Sequence, residues 1–361
     1  MEIMTGLATR YSPIVVPLVG LVALAGTWGR SLPMVGVVLI GLLLAATVLV
    51  AVHHAEVVAH RVGEPFGSLV LAVAVTVIEV ALIISMMSSG KEGSATLARD
   101  TVFAAVMITC NGIAGLVLLL GAIRRKFAEF HAEGTGSELA TVTTLATLCL
   151  VIPTFTTSEP GPQFSSVQLA FAGVASLTLY GCFVFTQTIR HRDYFLPPEG
   201  SAPEHAEAPS DRETLLSLGL LLAALVGVVG MAKLVSPAIE SGVAAAGLHN
   251  SAVGVVIALL ILLPETIAAA RAARRNQIQV GLNLAFGSAM ASIGLTIPAI
   301  AVASIWLSGP LELGLGPLHM VLLALTVAVG VLTVVPGRAT LLQGVVHLLI
   351  FGSFVFLAVS P

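Results

Sequence analysis

Charge is what this sequence has least of. Lysine and arginine number 16 and aspartate and glutamate 19 in 361 residues, 10% of the chain, against about 25% in an ordinary soluble domain. The scarcity excludes a solvated globular surface. A net charge of -3, with no basic cluster interleaved with aromatics, sets nucleic acid aside as a partner. Cysteine is nearly absent too: Cys110, Cys149 and Cys182 each fall inside an apolar run and form no CxxC, so neither a disulfide framework nor a zinc site has support. They read as small buried hydrophobes. Enzyme frames are missing as well. There is no H-E-x-x-H, Ser288 has no G-x-S-x-G around it, and nothing in the sequence links Ser288 to His319 or His347.

What is there is apolar sequence, 57% of the chain. A membrane span takes about 20 mostly apolar residues. By that measure eleven spans are expected, over roughly 11–28, 31–53, 66–88, 100–122, 138–158, 166–189, 214–235, 250–270, 277–303, 316–335 and 338–358. The fold class is an all-α polytopic membrane protein embedded in a lipid bilayer. The N-terminal run shows no small-residue cleavage site and is followed at once by another apolar run, so a cleaved signal peptide is not expected.

Basic residues collect on the cytoplasmic side of short loops. Sorting them by alternate loops puts Arg10, Arg61, Arg124, Arg125, Lys126, Arg190, Arg192, Arg212, Arg271, Arg274, Arg275 and Arg338 on one side, and Arg30, Lys91, Arg99 and Lys233 on the other. This predicts a cytoplasmic N-terminus and an external C-terminus, in an inner (plasma) membrane. The one long polar stretch, HRDYFLPPEGSAPEHAEAPSDRE at 191–213, reads as a cytoplasmic linker. The domain organisation is then an N-terminal helix at 1–30, five helices at 31–190, the linker at 191–213, and five helices at 214–361.

Two five-span segments around a linker suggest an inverted repeat, and two carboxylates support it. Glu79, in LVLAVAVTVIEVALIIS, lies thirteen residues past Phe66; Glu265, in VVIALLILLPETIAAARAARR, lies thirteen past Ala252. These are the third and the eighth of the expected spans, an odd step of five along the series, so the two helices run in opposite directions and both acids fall near mid-membrane. The span after each acid is polar: Thr109 and Asn111 follow the first, and Asn283, Ser288, Ser292 and Thr296 the second, with Asn111 and Ser292 equivalent if the first connection is five residues longer. Pro264 leaves the carbonyl of Leu260 without its helical donor. A cation or water would satisfy it, as would an ordinary kink against a neighbouring helix.

A charge at that depth costs at least about 2.5–3.5 kcal/mol. Seventeen of the nineteen acids can be assigned to ends, loops or span edges, which leaves Glu79 and Glu265. For a lone acid, a protonated carboxyl bonding between helices would suffice. A symmetric pair with amide and hydroxyl neighbours favours a shared cation site, since hard cations take oxygen ligands. When the cation leaves, two nearby carboxylates in low dielectric are not both held ionised cheaply, and protons replace it. Occupancy by one ion or the other is the chemistry of an antiporter, with no cofactor beyond the transported ions. The candidate ligands are Glu79, Glu265, Asn111, Asn283, Ser288 and Ser292, with Thr76 and Thr266 behind them.

The stretches GEPFGSLVLAVAVTVIEVALI and LLPETIAAARAARRNQIQVGLNLAFGSAMASIGLTIP resemble the two alpha repeats of the calcium/cation antiporter superfamily, calcium/proton branch, and ARDTVFAAVMITCNGIAGLVLLLGA is similar to the Cha-type bacterial cation/proton antiporters. The resemblance implies a first helix plus two inverted five-helix repeats, with Glu79 and Glu265 as the paired acids. It also implies exchange of cytoplasmic calcium or a monovalent cation for external protons. Many members carry Gly-Asn three to four residues before each acid. Here those positions are Val75-Thr76 and Ile261-Leu262, so sodium or potassium stands beside calcium as cargo. Sodium/calcium exchange without protons, or a cation channel, are the rival readings. Beside the site, HHAEVVAHRVGEP places His53, His54, Glu56, His60 and Glu64 at the mouth of the third span. The cluster reads as a pH sensor or metal site, or as a plain interface segment.

Overall fold

The computed structural model describes residues 2–30, 32–63, 66–87, 94–196, 209–245, 251–306 and 309–360. Glu64, Lys91 and the centre of the linker, 197–208, lie outside the described residues. Among the described residues, eight helices are long and apolar enough to cross a membrane, and a bent pair, Ala252–Ile261 and Leu263–Arg274, makes a ninth if counted as one span; Ser12–Thr27 and Ala72–Ser85 are apolar but shorter. These segments fall on the eleven stretches read from the sequence. Among the described residues, the helices that meet the length and composition of a full crossing number eight, or nine with the bent pair. The chain forms two compact units, Met1–Met86 with His205–Ala246, and Met87–Glu204 with Gly247–Pro361. Each unit therefore draws on both sides of the linker, so compactness does not follow the 31–190 and 214–361 division.

The first unit contains α1 (Glu2–Thr27), α2 (Met34–Val62), most of α3 (Phe66–Met87) and α8 (Asp211–Ala245). Helices α1, α2 and α8 pack on one another. Pro17 has no N–H to give to the carbonyl of Pro13 one turn back, and His54 Nε2 fills that place at 2.9 Å. His54 is buried while His53 and His60 are exposed. The histidine cluster thus divides, one ring serving as a helix strut. Arg61 pairs with Asp211 at the surface.

The second unit holds α4 (Leu97–Met107), a π-helical turn (Ile108–Ile113) and α5 (Ala114–Arg125), which run on as one span. It continues with α6 (Ala132–Ala146), α7 (Ser166–Phe185), a 3-10 turn (Arg192–Phe195), α9 (Ser251–Ile261), α10 (Leu263–Arg274), α11 (Ile278–Ala303), α12 (Pro317–Val334) and α13 (Leu341–Val359). The spans Leu97–Arg125 and Ile278–Ala303 are the most buried, as expected of helices apolar on every side. Helix α7 starts at a capping box, Ser165 N donating to Gln168 Oε1 at 2.9 Å while Gln168 N donates to Ser165 Oγ.

Loop contacts sort this unit into two ends. At one end, β1 (Ala128–Glu129) pairs antiparallel with β2 (Arg338–Ala339), and Arg124 donates to the carbonyl of Arg274. At the other, Glu312 N donates to Ala95 O at 3.0 Å, Leu315 N to Leu150 O at 2.8 Å, and Gln163 bridges Glu312. The first end gathers Arg124, Arg125, Lys126, Arg274, Arg275 and Arg338 while Arg99 lies at the other, which is the alternation read from the sequence.

One boundary is corrected. The fifth span was expected from residue 138, but α6 begins at Ala132. HAEGTGSELA is polar enough to look like a loop. Its residues nevertheless face protein: a Cβ on Gly134 would run into the carbonyl of Tyr194, so only glycine lets the Arg192–Phe195 turn lie against α6. Glu138, assigned to a span edge, is therefore inside the helix bundle.

Candidate cation site

Helix α9 ends at Ile261 and α10 restarts at Leu263, with the two axes bent by 55°. Pro264 stands at the second position of α10, where its missing N–H is tolerated. The break therefore follows from the sequence. It places Glu265 in the first turn of α10, where the helix dipole favours an acidic side chain, while Arg271 and Arg274 occupy the last turn, where it favours basic ones. Glu265 is 9% exposed. Thr266 donates its hydroxyl to Leu262 O at 2.7 Å, holding the restart together. Helix α10 packs on α11 and touches the π turn.

Asn111 lies in that π turn, fully buried, and π-bulges recur at functional sites. Its amide Nδ2 donates to Thr326 Oγ1 on α12 at 2.9 Å, and the Thr326 hydroxyl donates to Leu322 O at 2.8 Å. Its Oδ1 lies 3.1 Å from His347 Nδ1 on α13, and His347 Nε2 lies 3.1 Å from Thr333 Oγ1. For a neutral ring the accounting closes one way: Nδ1–H donates to Asn111, and Thr333 donates to Nε2. In the sequence alone nothing links His347 to Ser288 or assigns it a partner. The structure makes it the clasp on a candidate ligand, and it lines a small cavity of about 10 Å³ with Thr333 and Thr135, room for a single water.

Asn283 falls in a different group. Its Oδ1 accepts from Gln279 Nε2 at 2.7 Å and its Nδ2 donates to Phe195 O at 2.7 Å; Gln279 in turn reaches Thr135 Oγ1 and accepts from His131 N. These bonds tie α11 to α6 and to the Arg192–Phe195 turn. Ser292 is buried on α11, which packs on the π turn carrying Asn111. Ser288 is half-buried, and the backbone beside it at Gly287 faces open space. In the first unit, Glu79 is 4% exposed in the middle of α3, with Thr76 buried one turn before it. Among the described residues no group of three or more His, Cys, Asp or Glu side chains converges on a metal position. The sequence reading missed Glu138 on α6: it is 0% exposed, and neither carboxyl oxygen has a hydrogen-bond partner among the described residues. Its signal was present as an acid at the first position of the expected span, where it passed for a span edge.

The class these features define is a multi-pass helical membrane protein with a discontinuous span carrying a buried acid, the architecture of secondary transporters. The family model "Sodium/calcium exchanger protein" matches residues 31–189 and 216–360, and the chain belongs to that family. The two matched stretches flank the polar segment. The chain is 47% identical over 350 residues to the putative ionic transporter y4hA of Sinorhizobium fredii, covering 96% of this chain and 95% of that one. It is 32% identical over 354 residues to the sodium-potassium/proton antiporter ChaA of Escherichia coli, with the same coverage. The crystal structure of the H+/Ca2+ exchanger CAX superposes with a TM-score of 0.71 over 99% of this chain and 93% of that one, at 16% identity, which shows the fold. The resemblance to the calcium/cation antiporter superfamily, on its Cha and calcium/proton side, stands.

Proposed function

We propose that this protein exchanges a cytoplasmic cation for external protons across the inner membrane, with Glu79 and Glu265 as the acids that hold cation and proton in turn. The observation that carries the reading is the buried Glu265 at the restart of a broken span, together with a second buried acid, Glu79, as far into its own apolar run as Glu265 is into its run. Bare carboxylates at such depth are costly unless an ion or a proton accompanies them. Calcium is the first candidate cargo. Sodium and potassium follow from the relative named as a sodium-potassium/proton antiporter and from the missing Gly-Asn pairs before each acid.

Ser288 and Ser292 offer hydroxyl oxygens from α11, and Thr76 and Thr266 from the turns beside each acid. Asn111 keeps a second lone pair on Oδ1 while accepting from His347, so it serves as a ligand held in place by that ring. Asn283 spends both its amide groups on Gln279 and Phe195, and in this conformation it acts as a strut. The basic loops face the cytoplasm, with the N-terminus inside and the C-terminus outside. The test is Glu79→Gln and Glu265→Gln, each of which mimics a protonated acid. Both variants are expected to insert and fold, and neither to exchange; wild-type transport by either would reject the pair.

A further inference from the structure

We propose that Glu138 is a third proton-carrying carboxyl of the exchanger, a stopping point for protons moving between Glu265 and the basic end of the second unit. The proposal rests on the exchange reading above. Glu138 has no exposed surface, and neither oxygen meets a hydrogen-bond donor among the described residues. An ionised carboxylate in that position would forgo water, donors and counter-ion together, so the group carries a proton in this conformation.

The surroundings agree. Helix α6 packs against α11, α12, α7, α4 and the Arg192–Phe195 turn. Helix α11, its main neighbour, carries no titratable side chain at all. Helix α7 contributes Tyr180 and Cys182, and α12 contributes His319 in its first turn, at the other end of the unit. On α4, Arg99 and Asp100 pair with each other at 2.8 Å. On the turn, Arg192, Asp193 and Tyr194 are exposed. On α6 itself, Glu133 and the preceding His131 sit at the helix start. None of these is an ion-pair partner of Glu138.

Position supplies the role. The bond from Gln279 to Thr135 fixes the register of two helices that both start from the basic end. Glu138, one turn past Thr135, then lies at the depth of Asn283, about 10 Å along α6 from His131 at 1.5 Å per residue. Helix α11 packs on α6 and also on α10, which bears Glu265. Thr135 and Gln279 lie between Glu138 and the loops, and Gln279 continues to Asn283, whose amide donates to Phe195 O. As Glu138 gives up its proton towards the loops through these polar side chains, a proton displaced from Glu265 by an arriving cation refills it, so the acid is neutral at rest and ionised only in passing. A buried acid with no structural bond, beside a polar route, has no use in packing that an uncharged side chain would not serve better.

The experiment compares wild type, Glu138→Gln and Glu138→Asp in proteoliposomes with a trapped pH dye, challenged in turn with calcium, sodium and potassium. Glutamine reproduces the shape and polarity of the protonated acid, so a purely structural Glu138 would leave it equal to wild type. The expected result is a maximal proton flux lowered on the order of tenfold or more and a flattened pH profile, with the apparent cation affinity unchanged. Aspartate, which retains the acid, restores flux with a displaced pH profile, and it serves the same test if the glutamine variant fails to insert. Infrared difference spectra give a readout free of transport: the carbonyl stretch of a protonated carboxyl, present in wild type, is lost in Glu138→Gln. Wild-type flux together with an unaltered rate and pH profile in the variants would overturn the Glu138 proposal alone. Absence of proton flux in wild type would overturn the exchange reading, and this one with it.

Discussion

Replacing His347 with alanine tests the network that holds Asn111. The ring makes two bonds between helices, to Asn111 and to Thr333, each at 3.1 Å. Such bonds in membrane proteins average about 0.6 kcal/mol and reach about 1.7, so together they contribute roughly 1–2 kcal/mol. Large-to-small changes in a packed interior cost about 2–5 kcal/mol. Here the new hole adjoins a cavity of about 10 Å³ lined by Thr333 and Thr135, and water can enter and bridge Asn111 to Thr333. The packing loss then sits at the low end, and His347→Ala is expected to cost about 3 kcal/mol in all. Thr333→Val removes one bond at nearly constant volume and should cost about 0.6 kcal/mol. The assay is equilibrium unfolding in mixed detergent micelles. A His347→Ala cost no larger than that of Thr333→Val would refute the idea that the ring clasps Asn111.

Three further outcomes are expected. At Gly344 an added Cβ would meet Leu119 N at 2.7 Å and its Cα at 2.9 Å, whereas at Gly181 it would meet nothing within 4 Å; Gly344→Ala should therefore cost about 1–3 kcal/mol and Gly181→Ala should be neutral or stabilising, as thermal unfolding in detergent would show. Asn283→Ala removes the bond to Phe195 O, and tryptic cleavage after Arg190 and Arg192 should speed up in inside-out vesicles; an unchanged rate would mean the turn is held by other contacts. A cysteine placed at Ser201, in a background lacking the three native cysteines, should resist an impermeant reagent in intact cells, and labelling there would reverse the assigned orientation.

Much of the fold was legible because a bilayer imposes a coarse rule: apolar runs, alternating basic loops and a midpoint acid are visible without any contact being known. Glu79, Glu265 and a disturbed helix at Pro264 were all read from local sequence, and the structure turns the disturbance into a 55° break where proline forbids a helical bond. What was not legible depends on what a segment packs against. The start of α6 looked like loop because Gly134, Thr135 and Glu138 are polar or small. It is helix because the Arg192–Phe195 turn and α11 cover them. Asn283 and Asn111 looked alike in sequence, yet one props a turn and the other is fastened by a histidine 236 positions away. No periodicity carries that information.

The most direct test of exchange at paired acids is the dependence of cation affinity on pH. Proton and cation compete for the same carboxyls, so each must weaken the binding of the other. In proteoliposomes with the membrane potential clamped, an outward calcium, sodium or potassium gradient should drive protons the opposite way. The apparent affinity for the transported cation should strengthen as the pH on its binding side rises from about 6 to 8.5. Cation flux without proton counter-movement, or an affinity indifferent to pH across that range, would contradict the account.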